Sequence, residues 1–195
     1  MTLSQKEKTL LNNFNITGID EVGRGPLAGP VFVASYTITK NTPIYDLVND
    51  SKKLSEKKRD YLYSLLTEDP DSYKVVYKDA HVIDNIGIVK SIKISMEESI
   101  EFNDNYILID GIFKDKFNFK NYETVIKGDS THYSIAAASI IAKVERDKLM
   151  EKLDGKYPGY YFKNNKGYGT KEHIESIIKN GPCEIHRQTF ISNFI

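Results

Sequence analysis

The spacing of apolar and polar positions changes period several times along the chain, and each change marks an element. "NITGID" and "GPVFVASYTIT" (29–39) are rich in β-branched and aromatic residues and predict two strands joined by a glycine/proline turn. "SEKKRDYLYSLLTE" predicts a helix with Ser55 as its N-cap. "YKVVYK" (73–78) predicts a short strand. Ile88, Ile92, Met96 and Ile100 recur every fourth residue, so one helix is predicted from Ala80 to Phe102. "NYILIDG" (105–111) and "YETVIKGDS" (122–130) read as buried strands that each end in an acid. "YSIAAASIIAKVERDKLMEKL" predicts a helix dense in small residues, able to lie close against a sheet. The stretch from Gly155 is loop-rich, with one helix near Lys171 to Lys179. Together these predict an α/β fold: a mixed β-sheet flanked by helices, with a small helical, loop-rich C-terminal lobe. A chain of 195 residues suits a single domain, with its core over about 16–152 and the lobe over about 153–195.

Composition narrows the function classes only a little. The 27 basic and 27 acidic residues cancel, so any binding of nucleic acid must come from local patches. The arginines are Arg24, Arg59, Arg146 and Arg187. Cys183 is the single cysteine, which excludes internal disulfides and cysteine-based zinc sites and fits a reducing compartment. The polar start, "MTLSQKEKTLLNNFN", has no signal-peptide core, and no run reaches the length of a membrane span. The expectation is a soluble, cytoplasmic, monomeric protein with no membrane contact.

Chemistry enters with the acids. Asp20-Glu21, Asp110 and Asp129 each follow an apolar run that carries them to a sheet end. Neighbouring strands lie about 4.8 Å apart, so these acids can gather within a few ångströms. Two carboxylates about 4 Å apart repel by roughly 4 kcal/mol at an effective dielectric of 20, so such a cluster needs protons, basic partners or metal ions. Oxygen-rich acidic sites suit Mg²⁺ or Mn²⁺, and a pair of metals about 3.5–4 Å apart can clamp the attacking and leaving oxygens of a phosphodiester. The plainer alternative is that each acid serves a turn or cap, Asp129 at a helix N-terminus included. Consecutive strand residues also face opposite sides, so Asp20 and Glu21 share a site only if the strand bends there.

Ordered blocks along the chain resemble bacterial ribonuclease HII: "GIDEVGRGPLAGPV", "NDSKKLSEKKR", "LIDG", "KGDS", "SIAAASIIAKVERD", "YPGYYFKNNKGYGTKEH" and "GPCEIHR". The likeness runs from about residue 16 to 190, and arginine between the glycines separates it from ribonuclease HIII, where lysine stands. The resemblance implies a ribonuclease H-like fold and endonucleolytic cleavage of RNA in RNA/DNA hybrids and 5′ of single ribonucleotides in duplex DNA, leaving 3′-hydroxyl and 5′-phosphate ends. It implies Asp20, Glu21, Asp110 and Asp129 as catalytic carboxylates binding two Mg²⁺ or Mn²⁺ ions. It marks Gly23, Arg24 and Gly25 as the sensor of the ribonucleotide 2′-hydroxyl and Tyr168 as the ring that packs on the following sugar. Tyr161 stands where relatives often have glycine. No sliding-clamp motif is evident after the "IHR" block. Two competing readings remain: a DNA-cutting nuclease of the same superfamily, and a catalytically idle nucleic-acid-binding protein.

Glycines around Arg24 remove the Cβ atoms that would keep a ribose from the main chain, and Arg24 itself can hold a phosphate. The alternative is a simple chain reversal; the spacing fails a dinucleotide fingerprint. Lys156, Lys163, Lys166 and Lys171 alternate with Tyr157, Tyr160, Tyr161, Phe162 and Tyr168, a composition that suits a nucleic-acid surface or an ordinary solvated loop. Lys52 and Lys143 are candidate neighbours of a phosphate or of the acid cluster, Lys143 being equally suited to a solvated helix face. His81, His132, His173 and His186 form no zinc motif; His186-Arg187 reads as a packing and hydrogen-bonding pair, and Cys183 as a bland thiol.

Overall fold

The computed structural model describes residues 1–101 and 104–193. A short helix α1 (Gln5–Leu10) precedes strands β1 (Ile16–Val22) and β2 (Val31–Ile38). A 3₁₀ turn (Ser51–Lys53), helix α2 (Glu56–Leu66) and strand β3 (Tyr73–Lys78) follow. Next come α3 (Ala80–Ile86), α4 (Ile88–Glu98), β4 (Tyr106–Asp110), β5 (Tyr122–Val125) and a second 3₁₀ turn (Gly128–Ser130). The chain then enters the long α5 (Tyr133–Lys156) and closes with α6 (Phe162–Asn165), α7 (Lys171–Asn180) and α8 (Gln188–Ile191). The sheet order is β3-β2-β1-β4-β5; the first three strands form an antiparallel meander, and β1, β4 and β5 run parallel.

Alternation along β1 sends Ile16 and Gly18 to the face covered by α5, and Ile19 to the face covered by α3 and α4. Gly18 makes the first contact possible. A Cβ there would lie well inside van der Waals distance of the Ser134 and Ile135 backbone, so the helix rests directly on the strand. The buried Ala136, Ala137, Ala138 and Ala142 extend this close approach, as the small-residue pattern predicts. On the opposite face Ile19, Val31, Val33, Ile107 and Ile109 pack with Ile83, Ile92 and Met96.

Three elements differ from expectation. The helix predicted from Ala80 to Phe102 breaks at Gly87, whose φ of 83° lies in the left-handed region, and it ends at Glu98; Phe102 lies outside the described residues. The strand expected to run to Ser130 stops at Val125. Lys127 turns left-handed (φ 54°) and throws Asp129 into a 3₁₀ turn, so this acid is not a strand-end residue. The polar N-terminus forms α1, with a reciprocal cap between Ser4 and Glu7.

The C-terminal lobe packs around the β1–β2 connection. Leu27 and Ala28 of that loop and Met150 of α5 share a core with Tyr160, Phe162, Ile177 and Ile191.

Candidate active site

The β1–β4 register pairs Ile19 with Ile109, so Asp20 and Asp110 leave the sheet side by side at the C-terminal ends of parallel strands. The 3₁₀ turn brings Asp129 over them, held by the Gly128 amide, which donates to Asp110 Oδ1 at 2.6 Å. Asp20, Asp110 and Asp129 each offer an oxygen, and these oxygens lie within 4.8 Å of one another. Asp20 and Asp129 are buried and Asp110 is half-buried. Glu21 is outside this trio, because adjacent strand residues point to opposite faces. It remains near enough to act electrostatically on Asp20 and Asp110, and the Arg24 guanidinium lies 4.0 Å from it.

Crowding and burial dominate the ionisation of the site. Burial, then Glu21 and Asp110, push Asp20 well above the usual carboxylate range, against a weaker pull from the Ser139 hydroxyl. Burial and Asp110 lift Glu21 to about 7, with Arg24 opposing. Asp110 is raised by burial, offset in part by the Gly128 amide. Burial acts to lower the Lys52 ammonium, but Asp129, Asp20 and Asp50 outweigh it and raise its pKa. Its Nζ lies 3.6 Å from Asp129 on a side chain that is 81% exposed. Three hard oxygen donors with a shared deficit of positive charge fit a divalent cation.

Beside the acids, the Gly23–Pro30 loop is held from behind by two fully buried arginines whose hydrogen-bond partners are all main-chain carbonyls. Arg187 donates to Gly29 (3.0 Å), Arg24 (3.1 Å) and Gly23 (2.6 Å). Arg146 donates to Pro30 (3.0 Å), Lys166 (2.9 Å) and Ala28 (3.4 Å). Charge-assisted bonds worth about 1.5–3 kcal/mol each offset the cost of desolvating the two cations. Gly23 has φ 93° and a Cβ there would strike Arg146, so internal packing demands this glycine. Gly25 is different: a Cβ on it meets nothing within 4 Å, leaving its outer side open to a ligand. The lobe seals the loop from the other side, where the Gly167 carbonyl accepts from the Leu27 amide at 2.8 Å. The next residue, Tyr168, is 42% exposed, with the Arg146 guanidinium 5.8 Å from its ring centre.

Some expected partners stand elsewhere. Lys143 bonds Asp147 at 2.8 Å on its own helix, four residues on, and so is committed as half of a helix-face ion pair. Of the aromatics between Lys156 and Lys171, Tyr160 and Phe162 are buried and stacked at 5.5 Å in the lobe core. Lys156, Lys166 and Lys171 pair with Glu184, Glu151 and Glu175. Tyr161 and Tyr168 are the large apolar side chains of this stretch left exposed. His186-Arg187 does form a packing and hydrogen-bonding unit, and Arg187 carries more than the sequence suggests. The signal for Arg146 was its helical register: Ser139, Ala142, Arg146 and Met150 fall on one buried stripe of α5.

The family model for ribonuclease HII matches residues 17–193. The chain belongs to the ribonuclease HII family. It is 44% identical over 194 residues to the ribonuclease HII of Caldicellulosiruptor bescii, covering 97% of this chain and 93% of that one. It is 51% identical over 178 residues to the enzyme of Enterococcus faecalis, covering 90% of this chain and 69% of that one. Among solved structures, ribonuclease H2 of Pyrococcus horikoshii superposes with a TM-score of 0.72 at 26% identity, covering 92% and 98% of the two chains. The chain is thus a ribonuclease H with the ribonuclease H-like fold, an endoribonuclease acting on RNA/DNA hybrids. Among the described residues, no helix is long and apolar enough to cross a membrane.

Proposed function

We propose that this ribonuclease HII cuts 5′ of single ribonucleotides embedded in duplex DNA as well as within RNA/DNA hybrids, leaving 3′-hydroxyl and 5′-phosphate ends. The observation that carries the reading is the convergence of Asp20, Asp110 and Asp129 within 4.8 Å. The Gly23–Gly25 loop follows directly on the strand that carries Asp20, which ties recognition of the ribose to the bond that breaks. Asp20, Asp110 and Asp129, with Glu21 at their margin, are the residues that hold divalent cations, Mg²⁺ or Mn²⁺. Bound there as a pair, such ions supply an activated water and neutralise charge on the departing 3′-oxygen. A neighbouring fold, the Bst-RNase HIII structure with a TM-score of 0.68, was solved in complex with Mn²⁺.

The chain's own groups do the rest. Gly128 orients Asp110 through its amide, and the Ser51–Ser139 hydroxyl pair (2.7 Å) backs Asp20. Lys52, exposed and next to Asp129, meets a phosphate. Gly23, Arg24 and Gly25 read the 2′-hydroxyl, a group present in RNA and missing in DNA, and Tyr168 packs on the following sugar. Lys143, paired with Asp147, takes a phosphate only by leaving that partner. A duplex carrying one ribonucleotide, assayed with Mg²⁺, Mn²⁺ and chelator, tests the reading. Cleavage 5′ of the ribonucleotide should need metal and vanish in Asp20→Asn and Asp129→Asn while hybrid binding persists. Equal cutting of an all-DNA duplex, or full activity in either variant, would refute it.

A further inference from the structure

We propose that Glu7 is a positioning residue for the metal site, fixing the first turn of α5 so that Asp129 stands beside Asp20 and Asp110. The inference rests on reading those three carboxylates as the cation site, and it names what holds the third of them in place. Asp20 and Asp110 leave the ends of paired strands, whereas Asp129 rides on a 3₁₀ turn that belongs to no sheet. That turn is tied at both ends through Gly128. Its amide donates to Asp110 Oδ1 at 2.6 Å. Its carbonyl accepts from the Thr131 amide at 3.0 Å and from the His132 amide at 2.8 Å. His132 is the residue directly before α5, so the position of Asp129 follows the start of that helix.

A helix start leaves its first amides without intrahelical partners, and the N-cap side chain commonly serves them. His132, at the N-cap of α5, makes no such bond. Glu7 serves instead, from 126 residues earlier in the chain. Its Oε2 accepts from the Tyr133 amide at 3.1 Å, and its Oε1 from the Ser134 amide and hydroxyl, both at 2.9 Å. Two oxygens on successive amides fix the helix end in rotation as well as along its axis. The carboxylate is itself held, being fully buried with the Ser4 amide and hydroxyl both donating to Oε2 at 2.8 Å. These donors are all neutral, so its charge is met by dipoles, the positive end of α5 included. On the other side of the helix start lies β1. A Cβ on Gly18, two residues before Asp20, would stand 2.2 Å from the Ser134 carbonyl carbon and 2.3 Å from the Ile135 nitrogen. One stretch of backbone is thus the shared reference for the strand that carries Asp20 and the turn that carries Asp129. Lys6, next to Glu7, also pairs with Glu123 of β5, the strand that leads into the turn.

The test uses the full chain and reads Mg²⁺ and Ca²⁺ binding by calorimetry without substrate. Mg²⁺ demands near-ideal octahedral geometry and Ca²⁺ accepts a looser one, so a displaced Asp129 should be felt mainly by Mg²⁺. Glu7→Gln keeps the size of the side chain and turns one acceptor oxygen into an NH₂ donor. It should weaken Mg²⁺ binding about tenfold or more, the usual effect of losing support behind a metal ligand, and Ca²⁺ binding distinctly less. At limiting Mg²⁺ its kcat should fall while KM for a hybrid duplex stays, because no substrate contact has changed. Ile177→Ala, which opens a cavity in the lobe core, supplies a loss of stability away from the site and should leave both cation constants unchanged. Ser134→Ala, which removes only the hydroxyl bond to Oε1 and favours the helix, should weaken Mg²⁺ several-fold with little loss of melting temperature. Unchanged Mg²⁺ binding in Glu7→Gln overturns the proposal; if that variant does not fold, unchanged binding in Ser134→Ala does so. Equal weakening of the two cations, or weakening shared by Ile177→Ala, marks a general loosening of the fold and overturns it as well. A wild type that binds neither cation overturns the reading of the carboxylates beneath it.

Discussion

Acidification should loosen the C-terminal lobe through one chain of hydrogen bonds. The Cys183 amide donates to His186 Nδ1 at 2.9 Å, His173 and His186 meet through their Nε2 atoms at 3.1 Å, and His173 Nδ1 lies 2.9 Å from the Tyr168 carbonyl. These partners fix the tautomers. His173 must carry its proton on Nδ1 to reach a carbonyl, so its Nε2 accepts; His186 accepts at Nδ1 and donates from Nε2. Every ring nitrogen is then used; an added proton on His173 Nε2 would face the His186 donor, and one on His186 Nδ1 would sit between the Cys183 amide (2.9 Å) and the Cys183 carbonyl (3.2 Å), which relieves only part of the cost of burial. Burial and the neighbouring His173 accordingly push His186 down to about 4, and burial lowers His173 too.

The magnitude follows from linkage. A histidine with a depressed folded-state pKa binds its proton more readily when unfolded, so stability is complete above the unfolded value near 6.5 and declines as pH falls toward 4. A shift from 6.5 to about 4 is worth about 3 kcal/mol in full, of which about 2 kcal/mol is lost between pH 7.5 and 5. Urea unfolding at a series of pH values measures it in the wild type and in His186→Gln. The variant should be weaker at neutral pH, having lost a donor and an acceptor in a buried site, yet its decline from pH 7.5 to 5 should be shallower by about 2 kcal/mol. An identical decline in both proteins would refute the assignment of the tautomers and of the lobe as the acid-sensitive part.

Three further outcomes are expected. Glu7→Ala should cost about 3 kcal/mol or more in chemical denaturation, because the buried carboxylate accepts from the Tyr133 amide (3.1 Å) and from the Ser134 amide and hydroxyl (both 2.9 Å) at the start of α5; a loss under about 1 kcal/mol would contradict this. Tyr161→Gly should leave stability unchanged or raise it by up to about 1 kcal/mol in thermal unfolding, since relief of a left-handed backbone (φ 59°) offsets the added freedom of the unfolded chain; a clear loss would show that the half-exposed ring packs more than its position suggests. Asp20→Asn should raise the melting temperature of metal-free protein at pH 8 while reducing the stabilisation given by added Mn²⁺, because it removes one of the crowded charges that cation relieves; a lower melting temperature without metal would contradict the crowding argument.

What the sequence shows and hides about this site divides along physical lines. Asp20 and Asp110 were legible because strands carry their own signal: an apolar run of period-two or buried character ends, and the acid stands at the exit. Asp129 was legible as a member and illegible as a position. Its place depends on Lys127 adopting a left-handed turn, and a lysine gives no hint of positive φ. The same holds for the helix predicted from Ala80, where Gly87 was visible but the apolar stripe ran through it without a break. For Glu21, alternation alone places it across the strand from Asp20, so its share in the site turned on local backbone geometry that the sequence pattern does not give. Hardest to see were the partners of Arg146 and Arg187: helical register marks Arg146 as buried, but both arginines bond carbonyls, and main-chain acceptors leave no residue pattern to find.

That last point bears on how recognition and chemistry are coupled. The acids sit on elements fixed by the main core, whereas the Gly23–Pro30 loop, proposed to read the ribose, is held by the lobe through Gly167, Ile185 and Arg187 and by α5 through Arg146. The peptide linking the two is short: Glu21 closes the strand's approach, and Gly23 begins the clamped loop. Displacing the lobe should therefore loosen this loop at Gly23, Arg24, Leu27 and Gly29, leaving the Arg146 bonds, without unseating Asp20, Asp110 or Asp129, whose neighbours are β4, the 3₁₀ turn and α5. The histidine relay ends at the carbonyl of Tyr168 and Arg187 follows His186 directly, so the acid-sensitive bonds and the sensor's clamp are parts of one lobe core. As the pH falls, metal binding should weaken before the lobe loosens, because the Glu21 carboxyl is lifted to about 7 while His186 is pushed down to about 4.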